Sequence, residues 1–164
     1  MVKSAGTYER TTVVFPINER VVLLGMKKRG FGEGWWNGFG GKLKDGETYE
    51  VAAARETFEE ARIRTNSLLH IANLHFYFND VLGVVSKAYM TQDFTGDPEE
   101  TAEMRPEYFD IDQLPFDEMW PADKLWVPDA LATSSPLGFI VHFDSDKSFR
   151  MIQEVSADLL EEKF

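Results

Sequence analysis

The sequence predicts an α+β fold, a mixed sheet with two helices, and three observations predict it. Apolar, β-branched runs recur along the chain between clusters of turn residues, as half-buried strands require. Two stretches have helical composition and helix-start signals instead. No internal repeat and no linker rich in Pro, Gly or Ser divides the chain, so residues 1–164 are expected to form one domain. That length buries roughly two-thirds of the unfolded surface. The same inventory fits a three-layer sandwich.

The elements follow in order. "TTVVF" at 11–15 and "RVVLLGMK" at 20–27 read as strands joined by a turn over residues 16–19. "RGFGEGWWNGFGG" is a loop built for unusual backbone angles and close approach. Residues 47–61 carry three consecutive alanines and neither Gly nor Pro, which predicts a helix. "LHIANLHFYF" (69–78) and "VVSKAYMTQ" (84–92) predict two strands around a turn at Asn79, Asp80 and Gly83. A loop at 94–102 leads to a short strand, "RPEYFDI". "PADKLWVPDALA" opens like a helix, with Pro128 forcing a break or an early-turn position. "LGFIVHF" and "SFRMIQEV" flank "DSDK" as a closing hairpin.

Charge and composition exclude several function classes. Twenty-eight acidic against 17 basic residues give −11, a surface that repels polymeric nucleic acid. It does not oppose a small phosphorylated ligand arriving with a divalent cation. No apolar run approaches 18 residues, so no transmembrane helix and no membrane partner is predicted. The start, "MVKSAGTYERTT", lacks the apolar region of a secretory signal. Absence of cysteine excludes disulfides. A cytoplasmic protein is expected, with a nuclear or mitochondrial fraction as the alternative.

"RETFEEAR" at 55–62 places Glu56, Glu59 and Glu60 within about one helical turn of a chain already rich in negative charge. Like charges at i,i+4 cost a few tenths of a kcal/mol. At ~100° per residue, Glu56 and Glu60 lie about 40° apart with Glu59 to one side, so the three can converge. Carboxylates with waters suit a hard octahedral cation such as Mg²⁺. The plainer reading is a solvated acidic face with Arg55 pairing Glu59.

The flanks decide between them. Gly41, five residues, Glu47, seven residues, then Arg55-Glu56-Thr57-Phe58-Glu59-Glu60 resembles the Nudix box, a loop–helix–loop motif. The resemblance implies an α/β/α Nudix sandwich that binds divalent metal and hydrolyses nucleoside diphosphates linked to another group. It makes Glu56, Glu59 and Glu60 metal ligands or catalytic base, with the base left between Glu60 and Glu56. It makes Arg55 and Glu47 an ion pair orienting the helix, and puts Gly41 at a loop carbonyl near the metal. Two positions depart from the motif. Thr57 replaces an aliphatic residue, with a modest loss of packing. Arg62 replaces a glycine; because it enters αL at greater cost, the helix is expected to run a turn longer, to Asn66. Val51, Ala54, Phe58 and Ala61 form a stripe opposite the glutamates. Either the helix is covered on both sides or Phe58 marks a contact surface; a monomer is expected, with self-association through Phe58 as the alternative.

"LLGMKKRGFGEGWWNGFGGKL" and "EMRPEYFDIDQLPFDEMWPADKLWVP" are similar to the Nudix members that hydrolyse oxidised purine nucleoside triphosphates, over residues 11 to about 128. The implied reaction converts substrates of the 8-oxo-dGTP and 2-hydroxy-dATP type to monophosphate and pyrophosphate, with Mg²⁺ as cofactor and Mn²⁺ as the alternative. It implies that Asn37 reads the base edge, Trp120 stacks on the purine, Phe31 lines the pocket and Lys27 holds phosphates. Thr12 sits at the pocket floor, and Glu103 adds a carboxylate to the metal site. Where the resemblance implies two adjacent aspartates, this chain has Ala122 before Asp123. A lone Asp123 in a partly solvated pocket is expected near its ordinary pKa of ~3.9. Alternatives are another Nudix substrate (diphosphoinositol polyphosphates, dinucleoside polyphosphates or ADP-ribose) and a non-catalytic ligand-binding module.

Overall fold

The structure, a computed structural model, describes residues 7–145 and 148–162. Its strands are β1 (Glu9–Asn18), β2 (Val21–Lys27), β3 (Trp36–Asn37), β4 (Arg64–Thr65), β5 (Leu69–Phe78), β6 (Val81–Thr91), β7 (Phe94–Thr95), β8 (Met104–Asp110), β9 (Leu137–Phe143) and β10 (Phe149–Val155). Helix α1 (Tyr49–Ala61) follows β3, and α2 (Asp123–Leu131) follows β8. Among the described residues, no helix is long and apolar enough to cross a membrane.

The main sheet runs β10-β9-β5-β6-β1. It is mixed: β1 lies parallel to β6 and β5 parallel to β9, with the other neighbours antiparallel. β1 meets β2 only through Ile17–Val22 and Asn18–Val21. β2 then diverges and pairs along its length with β8. This divergence opens a wedge beside β1. The segment after β3 returns into it, bridging Val14 to Phe39 and Thr11 to Lys42.

Alternation along β1 explains the layers. Phe15 and Ile17 join the large core with Trp126, Val127, Ala130 and Leu131 of α2. Val14 belongs to a separate cluster with Ala53 of α1 and Tyr89 of β6. One helix therefore covers each face of the sheet, and the three-layer form of the α+β expectation is the one observed.

Several boundaries differ from the sequence expectation. Pro16 lies inside β1, where pairing passes from β6 (Pro16–Thr91) to β2 (Ile17–Val22), a handover that tolerates a missing donor. The β5–β6 turn is Asn79 and Asp80, both at positive φ, and Gly83 lies within β6. Pro128 does not break α2. It is the sixth residue of the helix and exposed, so its cost is a single bond to the Lys124 carbonyl. The expected closing hairpin is β9–β10; of its turn, residues 146 and 147 lie outside the described residues.

The largest local correction concerns the end of α1. Thr48 caps its start, accepting the Val51 N–H at 3.2 Å. The helix stops at Ala61 rather than running to Asn66, with Arg62 in αL (φ 61°, ψ 24°) and its N–H on the Phe58 carbonyl. Ile63 decides this. It is fully buried with Leu23, Phe39, Ala61 and Met104, and burying it contributes ~1.5–3 kcal/mol, against ~1–2 kcal/mol for a side chain in αL. The Arg62 and Arg64 guanidinium groups lie 5.4 and 4.3 Å from the Phe58 ring. Phe58 is thus half-buried under cations rather than bare, and Ala61 points into the core. Val51, on the same stripe, is exposed, so that side of α1 is not covered along its length. Thr57 is buried with its hydroxyl donating to Ala53 O at 2.8 Å, so its polar group is satisfied. Arg62→Gly should leave the melting temperature within a few degrees, because relieved αL strain offsets the lost ~0.5–1 kcal/mol cation–π contact. Arg62→Val, β-branched at positive φ, should lower stability by more than ~1 kcal/mol in urea titration.

Candidate active site

The wedge beside β1 is a cavity of about 820 Å³. Thr12, Lys27, Phe31, Asn37, Trp120 and Asp123 all line it, so the six side chains expected to bind substrate stand around one space. Their positions follow from the fold. Thr12 comes from β1, Lys27 from the end of β2 and Asn37 from β3, while Trp120 and Asp123 come from the entry to α2. Phe31 stands on the loop between β2 and β3.

Two walls are chemically distinct. One is aromatic: Phe31, more than half exposed, lies 4.8 Å from the Trp120 ring, and Trp35 meets Trp120 edge-on at 4.6 Å. Phe76, Phe78 and Phe143 extend this surface. Sequence reasoning missed these phenylalanines, and Trp35, which backs Trp120 without lining the cavity; strand alternation pairs Phe76 with Phe78, but nothing in it distinguishes a cavity wall from core. The other wall is polar. The Thr12 hydroxyl is buried without a hydrogen-bond partner among the described residues, a state that costs ~1–3 kcal/mol unless a ligand satisfies it.

Asp123 overturns the expectation of an ordinary acidity. It is buried, and burial pushes its carboxyl up to about 7, although the Trp126 indole N–H donates to it at 3.1 Å. Neighbouring Ala122 is also buried, lines the cavity and offers no side-chain cap to α2.

Gly40 and Gly41 line the cavity, and the same two residues abut the inner face of α1. A Cβ on Gly40 would sit 1.8 Å from the Thr12 carbonyl, so only glycine lets the loop close against β1. That closure aims the Gly40 N–H at Glu60 Oε1, 2.8 Å away. Glu60 is almost completely buried. Burial pushes its carboxyl up to about 8; nearby Glu56 and Glu103 add to this, while the Gly40 N–H and Lys27 oppose it. A Cβ on Gly41 would meet Glu56 Oε1 at 2.7 Å, so the loop backbone abuts that carboxylate.

Arg55 is the hub on the outer side. It donates from Nε and Nη2 to both oxygens of Glu47 at 2.8 Å, a bidentate pair tying the preceding loop to the helix. With the Lys44 N–H it holds Glu47 at about 2. Arg55 Nη1 also reaches Glu56 at 2.9 Å and Glu59 at 3.2 Å. The expected three-way convergence of glutamates is therefore not what the structure shows. Glu59 turns outward to Arg55, Glu60 inward to Gly40, and Glu56 lies between; each carboxylate takes its nearest donor. Among the described residues, no group of three or more His, Asp or Glu side chains is arranged to hold a metal ion. Glu103 accepts from Arg29 at 3.3 Å and acts on Glu60 through its charge.

The donor chemistry nonetheless fits a divalent cation. Glu56 and Glu103 are oxygen donors whose charges both raise the proton affinity of Glu60, a repulsion that a hard cation would relieve. Glu59 would have to leave Arg55 to join them.

Comparison with known proteins places this architecture. Residues 7–130 match the NUDIX domain. A zebrafish (Danio rerio) protein named oxidized purine nucleoside triphosphate hydrolase is 44% identical over 136 residues, which span 81% of this chain and 86% of that protein. The mouse (Mus musculus) protein of the same name is 40% identical over 136 residues, spanning 82% and 87%. The crystal structure of a MutT protein from Bacillus halodurans superposes with a TM-score of 0.79 at 22% identity, covering 89% of this chain and 97% of that one, and so shares the fold. A domain match over most of its length, with relatives this similar over about four-fifths of the chain, makes the chain a member of the Nudix family of hydrolases.

Proposed function

We propose that this Nudix hydrolase converts oxidised purine nucleoside triphosphates, of the 8-oxo-dGTP and 2-hydroxy-dATP type, to monophosphate and pyrophosphate, using Mg²⁺ or, less favoured, Mn²⁺. One observation carries the reading: a cavity with an aromatic wall and the polar side chains of Asn37 and Asp123 is also lined by Gly40 and Gly41, the two residues that abut Glu60 and Glu56 of α1. The names of the zebrafish and mouse relatives point to the same substrate class.

Glu56 and Glu60, with Glu103, would hold the cation. When bound, it neutralises phosphate charge and lowers the pKa of water. The chain's own residues do the rest. Trp120 and Phe31 present flat apolar faces to the base, and Asn37, able to donate and accept, reads its edge. Lys27, which lines the cavity and whose charge acts on Glu60, meets the phosphates. The attacking water loses its proton to Glu60 or Glu56. Glu60, whose proton affinity is raised to near neutrality, is suited to receive it. The Arg55–Glu47 pair keeps helix and loop in register.

A highly phosphorylated inositol would need free cations. Lys28, Arg29 and Lys42 are paired with Glu100, Glu103 and Glu9, which disfavours that reading. A non-catalytic module is disfavoured because each glutamate of the motif is present. The test is incubation with a panel of modified purine triphosphates and Mg²⁺, with identification of the phosphate released. Pyrophosphate is expected; orthophosphate, or no turnover across the panel, would overturn the reading. Trp120→Ala should raise KM by the equivalent of ~1–3 kcal/mol of lost stacking while changing kcat less than about threefold. A collapse in melting temperature without a selective KM effect would assign Trp120 to the core instead.

A further inference from the structure

A second cavity, about 640 Å³, lies against the loop that precedes α1 and shares Glu9 and Lys42 with the first. Its wall includes Glu162, near the end of the chain. Residues 156–162 reach it by docking on β5. Asn73 donates to Ala157 O at 3.2 Å and to Glu161 Oε1 at 2.9 Å, the His75 ring bonds Leu160 O at 3.2 Å, and Leu160 is buried. Glu162 then receives Tyr8 Oη at 2.5 Å, Arg10 Nε at 2.7 Å and the Tyr49 hydroxyl. Its side chain is only 7% exposed. A carboxylate that buried is tolerated because its oxygens are satisfied. Burial pushes its acidity toward the neutral form, but the bonds from Tyr49, Tyr8 and Arg10 outweigh that and hold it below the ordinary value.

The three donors lie at β1, against which the glycine loop packs, and at α1, which follows that loop. Tyr8 and Arg10 lie at the head of β1, and Tyr49 is the first residue of α1. Between them the loop is laced to β1 by Leu43 N–H to Arg10 O and Thr12 N–H to Gly41 O, both 3.0 Å. Arg10 thus holds the tail with its side chain and the loop with its carbonyl. Lys87 adds to the clamp, 5.1 Å from the Tyr49 ring and paired with Glu161 at 3.3 Å.

We propose that Glu162 is a positioning residue for hydrolysis. It clamps β1 to the start of α1 and so fixes Gly40 and Gly41 against Glu60 and Glu56. The inference rests on the phosphohydrolase reading above. It assigns the C-terminal segment a role in the site without contact with substrate.

Glu162→Ala should lower kcat about tenfold or more while KM for the nucleotide stays within about twofold. Mn²⁺ affinity, titrated by calorimetry without nucleotide, should weaken several-fold. Amide hydrogen exchange should quicken at Thr12 and Leu43 but not in the centres of β5 and β9. Glu162→Gln, whose amide oxygen can still accept from Tyr8 and Arg10 while its N–H donates to the Tyr49 hydroxyl oxygen, should recover most of each loss, and it carries the same measurements if the alanine variant fails to fold. Unchanged kcat and Mn²⁺ affinity in Glu162→Ala would overturn the proposal, as would a uniform rise in exchange with no kcat-selective loss. If no nucleoside triphosphate is turned over by the natural chain, the proposed function fails, while Mn²⁺ affinity and exchange still decide the clamp.

Discussion

Glu60→Gln is expected to cut turnover by about 10²–10³-fold and, in cation-free buffer above pH 8, to raise the melting temperature. The two effects share a cause. Glu60 is buried against Gly40 with Glu56 and Glu103 nearby, and its folded pKa of about 8 exceeds the ordinary 4.5. A carboxylate shifted upward contributes its full stability below pH 4.5, and that contribution is lost as pH rises through 8. At pH 9 the folded chain carries a buried, repelled charge. Glutamine keeps an oxygen to accept the Gly40 N–H and has no charge to bury, so the variant's stability should be flat across this range. The same substitution removes the group best placed to hold cation charge and accept a proton from water. Stability gained where activity is lost is the pattern of a functional site that departs from the packing optimum. Thermal melts from pH 5 to 9 and saturating-Mg²⁺ kinetics check both halves. Turnover within tenfold of the natural chain would mean that α1 is not the catalytic element.

The parts of this site that were legible in the sequence are those set by local spacing. Gly41, Glu47, Arg55 and the three glutamates sit at distances that one loop and one helix impose, and the Arg55–Glu47 pair forms as expected. What local pattern could not supply is burial. The end of α1 depends on Ile63 entering a cluster with Leu23, Phe39 and Met104, residues that no helix propensity at Arg62 can register. The outward turn of Glu59 depends on Arg55 serving several acceptors at once. The Glu162 clamp joins positions 154 residues apart, and nothing near either end of that pair announces it. Asp123 shows the same limit in its chemistry: its identity was readable, but its acidity is a property of the packing of α2.

That acidity leads to the second large effect. Asp123→Asn should lower kcat/KM for modified purine triphosphates by about tenfold or more and abolish a pH inflection near 7 in substrate preference. With its pKa at about 7, Asp123 is divided between two states at neutral pH. Protonated, its carboxyl both donates and accepts; ionised, it only accepts. A base whose facing edge offers an N–H therefore gains as pH rises through 7, and one whose edge presents an acceptor gains as pH falls. Between pH 6 and 8 the protonated fraction drops from about nine-tenths to about one-tenth for a group titrating at 7, enough to move a preference ratio by about tenfold. Ala122 leaves this carboxyl without an acidic neighbour on its N-terminal side. Ala122→Asp should place a second carboxylate beside it, and two such groups retain one proton to higher pH by mutual repulsion. The inflection should move above 8 and the preference flatten across the neutral range, with metal-dependent chemistry unchanged. The measurement is kcat/KM for 8-oxo-dGTP and 2-hydroxy-dATP from pH 6 to 9 in the natural chain, Asp123→Asn and Ala122→Asp. A ratio that is flat in the natural chain, or unmoved by Ala122→Asp in a folded variant, would remove Asp123 from base recognition.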